Sequence, residues 1–223
     1  MDDDSALTLV DAGDLPYVLS VPAAAGGGAA PRPVLCFLHG YDEAAPMELR
    51  AGVTRHGPLR PGSSTLARRG FIVVAPQLPR AGDLWHRAAD AVRRIVGEVR
   101  EANGGDAART YLTGFSFGGN GVFDLALAQP GLWAALWAVD PTRVPREDPR
   151  RPVWLSFGAA ARGGRRAFIR ALALEAAEGQ TPGGDRLYLD EGEDHVGSAT
   201  RAYADDRIYR WLLSKRSHTI SED

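Results

Sequence analysis

The sequence predicts an α/β fold in which helices cover both faces of a mostly parallel central sheet. The first observation is that short runs of β-branched and aromatic residues alternate with longer segments of helical periodicity. The second is that glycine and proline mark the boundaries between these segments. The third is that polar residues follow directly after several expected strands. Because the carboxyl ends of parallel strands form the ligand-binding edge of such a sheet, a functional site is expected at that edge.

The chain begins with two short β-like runs, residues 7–10 and 17–21, which we expect to pair as antiparallel edge strands. The Ala- and Gly-rich segment 23–30 is typical of a flexible surface loop. With 223 residues, the chain is long enough for one domain with a sizeable core. The expected parts of this single domain are edge strands and loop at 1–32, the core at 33–213 and a tail at 214–223.

The strand–helix alternation continues through the core. Buried strands are expected where the sequence is continuously apolar, and helices where apolar residues recur every three or four positions. The predicted strands are 34–38, 71–75, 110–113, 134–139, 153–157 and 187–189. The predicted helices are 63–69, 85–101, 119–129, 165–177 and 203–213. The connection between the strands expected at 134–139 and 153–157 is short, so the sequence has no room for a cap domain there.

Composition and charge exclude several functional classes. The net charge of −2 gives no electrostatic reason to expect a nucleic acid or an anionic membrane surface as a partner. Cys36 is the only cysteine and lies in an apolar run, so no disulfide can form within the chain. The acidic N-terminus lacks the apolar segment of a signal peptide, and no apolar run is long enough to span a bilayer. We therefore expect a soluble, cytoplasmic protein.

The pentapeptide Gly114-Phe115-Ser116-Phe117-Gly118 lies between an expected strand and an expected helix. This setting is what a nucleophile elbow requires. Glycine two positions before and after the serine avoids collisions with neighbouring backbone in so tight a turn. The turn would lift the Ser116 hydroxyl clear of the sheet and direct the Phe117 N–H at the oxygen that becomes negative when a carbonyl is attacked. Ser116 is therefore the candidate nucleophile.

A serine nucleophile needs a base, and His195 is the best candidate. It lies beyond the last expected strand, where a histidine can reach back to the elbow. The other histidines, His39, His56, His86 and His218, fit this role less well, and His39 more readily braces a loop. A second oxyanion donor is expected from the backbone after His39-Gly40, most plausibly the Tyr41 N–H.

The motifs that would indicate a bound cofactor or metal are absent from the sequence. No dinucleotide-binding or zinc-protease motif is present, so neither a cofactor nor a metal is expected. His195 with Glu193 and Asp194 could imitate a metal cluster, but adjacent acids in a solvent-facing loop are the usual explanation of such a pattern.

Four segments together resemble a known family. They are 36–40 (CFLHG), 71–77 (FIVVAPQ), 111–119 (YLTGFSFGG), and His195 with 202–205 and 211–213. On these segments the chain resembles the α/β-hydrolase family, and within it the small carboxylesterase- and phospholipase-like group with dienelactone-hydrolase-type cores, also known as "predicted peptidases". The resemblance implies a Ser–His–acid triad in the chain order Ser, Asp, His, and hydrolysis through an acyl-enzyme.

The sequence departs from this family in the position of the triad acid. Relatives carry the acid in the loop after the penultimate strand, and here that loop, 158–164, contains no carboxylate. Asp140, which ends the preceding strand, could reach His195 from the same edge. An acid within 190–194, or no acid at all, are the alternatives, and Asp140 could also be only a turn former before Pro141.

Residues near the expected site suggest an open, partly apolar pocket. Its possible lining is Gly40, Met47, His56, Trp85 and Trp137, with the segment 41–62 as a partial cover. The leading hypothesis is a serine esterase or thioesterase acting on a small or carrier-linked acyl substrate. Two alternatives stay open: a cyclising or acyl-transferring enzyme with the same nucleophile, and a hydrolase-fold protein that binds without catalysis. Oligomeric state is left undetermined.

Overall fold

The computed structural model describes residues 7–11, 13–23 and 30–217. The acidic N-terminus, most of the expected loop at 23–30 and the end of the tail, with His218, lie outside the described residues. The strands are β1 (Leu7–Val10), β2 (Tyr17–Ser20), β3 (Arg32–Leu38), β4 (Ile72–Pro76), β5 (Gly105–Phe115), β6 (Ala135–Val139), β7 (Val153–Phe157), β8 (Glu175–Ala176) and β9 (Arg186–Asp190). The helices are α1 (Leu49–Arg55), α2 (Thr65–Gly70), α3 (Ala89–Asn103), α4 (Phe117–Ala128), α5 (Ala159–Arg162), α6 (Arg165–Leu172), α7 (His195–Ala204) and α8 (Asp206–Leu213), with a 3-10 helix at Trp85–Ala88.

In the described part of the chain, nine strands form one sheet in the order β1-β2-β4-β3-β5-β6-β7-β9-β8. β1 pairs antiparallel with β2, and β2 pairs antiparallel with β4. All the other neighbouring strands are parallel. The predicted mostly parallel sheet, with an antiparallel pair at one edge, is therefore confirmed.

Alternate residues of the central strands pack into two cores, one on each face of the sheet. In β3, Val34, Cys36 and Leu38 belong to the core that also contains residues of α3, α4 and α6. Leu35 and Phe37 belong to the other core, with residues of α1, α2, α7 and α8. A strand that is buried on both faces must be apolar at every position, which explains the continuous apolar run in this part of the sequence.

The pairing register brings the ends of the central strands to one edge of the sheet. Leu38 pairs with Gly114, and Phe115 pairs with Val139. At the far side, Phe157 of β7 pairs with Asp190 of β9. Because these residues end or nearly end their strands, the residues that follow collect at a single edge. They are His39, Ser116, Asp140, Gly158 and Glu191.

Three predicted helices and one strand differ from the structure, and α1, α5 and β8 are not predicted by the sequence patterns. The helix expected at 85–101 begins as the 3-10 helix Trp85–Ala88 before α3, and β5 begins at Gly105 rather than at residue 110. α6 ends at Leu172 rather than at residue 177, because Ala173 adopts a left-handed φ of 49° before β8 begins. The helix expected at 203–213 corresponds to the end of α7 and to α8, and the part of α7 from His195 to residue 202 is not predicted as a helix. Asp205 is extended between them (φ −84°, ψ 104°), and its side chain accepts the N–H of Arg207.

Residues 140–152, between β6 and β7, contain neither helix nor strand. No cap domain is therefore inserted at this point, as predicted. Among the described helices, none has the length and apolar character that crossing a membrane requires.

Candidate active site

Ser116 occupies a strained turn between β5 and α4. Its backbone has φ 57° and ψ −117°, a region that residues other than glycine rarely adopt. A Cβ atom on Gly118 would lie 1.9 Å from the Leu38 carbonyl oxygen, and one on Gly114 would lie 2.3 Å from the Gly118 oxygen. Both positions therefore require glycine, and the steric argument made from the pentapeptide is confirmed.

A chain of two hydrogen bonds joins Ser116, His195 and Asp140. His195 Nε2 lies 2.9 Å from Ser116 Oγ, and His195 Nδ1 lies 2.6 Å from Asp140 Oδ2. A carboxylate can only accept, so Nδ1 carries the proton and Nε2 is left with a lone pair for the serine hydroxyl. This is the tautomer that a general base for Ser116 requires.

Asp140 is completely buried, and backbone N–H groups satisfy its carboxylate. Oδ1 accepts from Gly158 N and Ala161 N, both at 2.8 Å, and Oδ2 accepts from Ala160 N at 3.1 Å in addition to His195. The loop that lacks the expected acid therefore supplies donors to the acid of the neighbouring strand. A Cβ on Gly158 would lie 2.5 Å from Asp140 Oδ2, so only glycine leaves room for the carboxylate.

His195 is placed by the start of α7. The Asp194 side chain caps this helix by accepting the Gly197 N–H at 2.6 Å, and Ser198 Oγ donates to the His195 carbonyl at 2.7 Å. The Phe115 ring packs against the imidazole with a centroid separation of 4.7 Å. Helix start and aromatic contact together hold the ring in line between Ser116 and Asp140.

The acidic residues at 190–194 are engaged elsewhere. Asp190 accepts from the guanidinium groups of Arg162 and Arg165, and these hydrogen bonds and charges hold the pKa of its carboxyl below the usual range. Glu193 pairs with Arg201 at 3.0 Å. Of the carboxylates in the described residues, only that of Asp140 hydrogen-bonds the His195 ring.

The peptide that joins Gly40 to Tyr41 is oriented by His39. His39 Nε2 accepts the Leu78 N–H at 2.9 Å, so its Nδ1 carries the proton and donates to the Gly40 carbonyl at 2.6 Å. Burial lowers the pKa of His39 to about 4, so the imidazole stays neutral at neutral pH. In a trans peptide the N–H points opposite to the carbonyl, so the Tyr41 N–H points away from His39.

The two segments that carry the expected oxyanion donors meet beside Ser116. The Phe117 N–H belongs to the first residue of α4 and so has no acceptor within its helix. The Tyr41 ring meets the Phe117 ring edge-on at 5.5 Å, and a Cβ on Gly40 would lie 3.4 Å from Ser116 Cβ. The structure thus brings both donor segments beside the candidate nucleophile.

Comparison with solved structures finds the same architecture in known hydrolases. A thermostable esterase has a TM-score of 0.69 at 20% identity over 96% of this chain, which spans 64% of the length of that esterase. The fluorophosphonate-binding serine hydrolase F of Staphylococcus aureus has a TM-score of 0.63 at 13% identity, covering 93% of this chain and 96% of that one. The S-formylglutathione hydrolase of Agrobacterium tumefaciens also scores 0.63, at 15% identity and 94% coverage of both chains. The chain has the α/β-hydrolase fold.

At these identities the similarity establishes the α/β-hydrolase fold, and it confirms the family resemblance at that level. No protein-family model and no curated protein sequence matches the chain. The activity of a protein with the α/β-hydrolase fold has to be argued from its site, because this fold supports many chemistries.

The prediction that Trp85 and Trp137 line the pocket is wrong. Trp85 and Trp137 are both completely buried, so neither can line a pocket that substrate enters. Trp85 Nε1 donates to the His39 carbonyl at 3.1 Å, so it helps to fix the backbone that leads to Tyr41. Trp137 packs between Tyr203 and Tyr209 in the core on one face of the sheet.

Of the other predicted pocket residues, Gly40 borders Ser116 directly, as described above. His56 is buried, and the centroid of its ring lies 5.0 Å from that of Phe115, the residue before Ser116. Met47 is half-buried in the segment 41–62, where its carbonyl accepts a hydrogen bond from Gln77 at 3.0 Å, and its contact with substrate stays a prediction.

Proposed function

We propose that this protein is a serine hydrolase that cleaves an ester through an acyl-enzyme on Ser116. The observation that carries the proposal is the continuous hydrogen-bonded chain from Ser116 Oγ through His195 to the buried carboxylate of Asp140. Each member has the atom, tautomer and burial that its role needs. The esterase folds found by comparison support the same class of reaction.

The first half of the proposed reaction forms the acyl-enzyme. Ser116 Oγ attacks the ester carbonyl carbon while His195 Nε2 takes its proton, and Asp140 stabilises the resulting imidazolium. The Phe117 and Tyr41 N–H groups stabilise the negative oxygen of the tetrahedral intermediate. When the intermediate collapses, the bond to the leaving alkoxide breaks and His195 returns the proton to it.

The second half releases the acid. A water molecule attacks the acyl carbon while His195 Nε2 takes one of its protons, and the new intermediate expels Ser116 Oγ, which regains the proton from His195. No metal or cofactor enters these steps. The hypothesis of a protein that binds without catalysis rests on the missing acid at 158–164. Because the Asp140 carboxylate bonds the His195 ring instead, that reason no longer supports it.

The proposed substrates are esters or thioesters of small acyl groups, including acyl groups presented by a carrier protein. The lack of a cap between β6 and β7 supports this substrate class. Thioester preference and the cytoplasmic location stay predictions.

The test is hydrolysis of p-nitrophenyl acetate by the purified protein, S116A and H195A. A matched thioester, such as S-phenyl thioacetate, is assayed in parallel. We expect turnover by the parent and a loss of about 10³-fold or more in both variants. Equal turnover by parent and S116A would show that Ser116 is not the nucleophile. The ratio of the ester and thioester rates then decides the narrower substrate class.

A further inference from the structure

Glu43 is a buried carboxylic acid on the segment that carries the Tyr41 N–H. Glu43 is only 3% exposed to solvent. Glutamate is almost never buried so completely unless a partner compensates its desolvation. The steps proposed for Ser116 do not use this side chain, so its burial calls for another explanation.

The Glu43 carboxyl group and the nucleophile both lie next to the face of Gly40 that a side chain would occupy. A Cβ built on Gly40 would lie 2.8 Å from Glu43 Oε2 and 3.4 Å from Ser116 Cβ. The carboxyl group and Ser116 therefore meet over this face of Gly40. Any side chain at residue 40 would push these two groups apart, which explains glycine at this position.

The outer oxygen of the carboxyl group faces the end of α1. Glu43 Oε1 lies 3.4 Å from His56 Nε2 and 3.8 Å from Arg55 Nη1. Burial lowers the pKa of His56 to about 4, with further lowering by the charges of Arg55, Arg60 and His195. His56 is thus neutral at neutral pH, and Arg55 is the nearby cation.

Burial also raises the pKa of Glu43, and nearby groups act on it in both directions. The charge of Arg55 lowers this pKa, the charge of Asp42 raises it, and the backbone N–H groups of Glu43 itself and of Gly40 lower it. The closeness of Oε2 to the Cβ position of Gly40 places the carboxyl group beside the residue that precedes Tyr41.

The Glu43 backbone is anchored to the end of β4. Its carbonyl accepts from Gln77 Nε2 at 2.9 Å, and two residues later Ala45 N donates to the Leu78 carbonyl at 3.0 Å. A Cβ on Gly52 of α1 would lie 2.5 Å from the Glu43 carbonyl oxygen, so α1 packs closely against this point as well. The Glu43 backbone is thus fixed, and this fixes the position of its side chain beside Gly40.

We propose that Glu43 is a positioning residue of the oxyanion hole. Its side chain fills the space beside Gly40 and Ser116 and so fixes the Gly40 backbone, while His39 holds the Gly40 carbonyl, so that the Tyr41 N–H faces the acyl oxygen. This inference rests on the proposed serine hydrolase function. In this role, the length and packing of the Glu43 side chain matter, and its charge does not.

Two conservative variants separate reach from charge. E43D keeps the charge but withdraws the carboxyl group by one methylene from Gly40, and E43Q keeps the length but removes the charge. Because catalysis by an oxyanion donor depends on its placement, we expect kcat to fall about 10- to 100-fold in E43D with KM nearly unchanged. In E43Q we expect kcat within about fivefold of the parent.

The measurement is kcat and KM for p-nitrophenyl acetate per active site titrated with a fluorophosphonate, together with the melting temperature of each variant. Q129A is the control, because Gln129 is a buried side chain at the far end of α4 whose amide bonds the Ala89 carbonyl. It reports what a lost buried hydrogen bond does to kcat at a distance from the site.

The outcomes separate the two proposals. Reduced kcat in E43D with recovery in E43Q supports the positioning role. The opposite order, or kcat per titrated site within about threefold of the parent in both variants, overturns it. If the parent itself neither hydrolyses the ester nor reacts with the fluorophosphonate, the serine hydrolase proposal fails first, and the positioning role fails with it.

Discussion

Asp140→Asn is the substitution that most sharply tests how His195 is held. The carboxylate accepts four hydrogen bonds: Gly158 N and Ala161 N on Oδ1, and Ala160 N and His195 Nδ1 on Oδ2. An asparagine oxygen can replace Oδ1, but its NH2 group then faces two donors. His195 can respond by moving its proton to Nε2, and in that tautomer it can no longer accept the Ser116 proton.

The magnitude of the expected loss follows from this change of tautomer. In the serine-protease template, the equivalent substitution lowers kcat by about 10⁴-fold, and we expect D140N to lower kcat by about 10³- to 10⁴-fold. The Ala160 N–H is left without an acceptor, which should cost about 1–3 kcal/mol of the free energy of unfolding. KM should change little, because Asp140 is completely buried and does not touch substrate.

The assay is p-nitrophenyl acetate hydrolysis per titrated site, with urea denaturation as the measure of stability. D190N is the matched control, because Asp190 ends β9 at the same edge of the sheet and pairs with Arg162 and Arg165 instead of His195. It should lower kcat by less than about threefold. The reasoning is refuted if D140N retains kcat within about tenfold of the parent, or if D190N is as severely impaired as D140N.

Further predictions concern three other positions. H39F should lower kcat about 10- to 100-fold, because it releases the Gly40 carbonyl. Since the pKa of His39 is lowered to about 4, protonation of this residue should cost the parent about 3 kcal/mol of its free energy of unfolding as pH falls from about 6.5 to 4. Urea denaturation of H39F should show a fall that is smaller by about this amount. E191Q should raise the free energy of unfolding by about 2–3 kcal/mol at pH 8 and not at about pH 5. The reason is that burial raises the pKa of Glu191 to about 7, so the parent loses stability as pH rises through that value. Equal stability of E191Q and the parent at pH 8 would contradict this. G118A should lower the melting temperature and abolish fluorophosphonate labelling, because its Cβ would lie 1.9 Å from the Leu38 oxygen, whereas G131A, with open space around residue 131, should do neither.

Much of the fold is predictable because local patterns and tertiary packing agree. Central strands are buried on both faces and read as unbroken apolar runs, and α3 shows its buried stripe at helical spacing. The elbow is predictable for a related reason, since the close approach of Leu38 to residue 118 leaves glycine as the one residue that fits. These features depend on local sequence and simple sterics.

The boundaries that differ depend on single backbone conformations. Ala173 ends α6 with a left-handed φ of 49°, although alanine is a good helix former and its side chain gives no sign of the change. Asp205 divides the last helical segment by capping α8, and in the sequence it lies within a continuous apolar periodicity. The β8 pairing that follows Ala173 is a tertiary contact that local patterns do not specify.

The triad acid shows the same limit at the candidate site. The sequence leaves Asp140, the run 190–194 and a missing acid as alternatives, because the choice depends on the distance between residues on neighbouring strands. The deciding feature is the segment after β7, where the N–H groups of Gly158 and Ala161 donate to Asp140 at the end of the adjacent strand β6. A glycine after a strand is only a faint signal of that contact. The sequence also places Trp85 and Trp137 near the strand ends, but it does not show that both side chains are buried in the core.

The measurement that tests the central claim most directly is the intact mass of the protein after treatment with a fluorophosphonate. The account predicts one adduct on the parent, located to Ser116 by peptide mapping, and none on S116A. H195A should react at least about 10²-fold more slowly, because its serine lacks a base. A parent that stays unmodified while a known esterase reacts in the same tube, or an adduct that persists in S116A, would contradict the account.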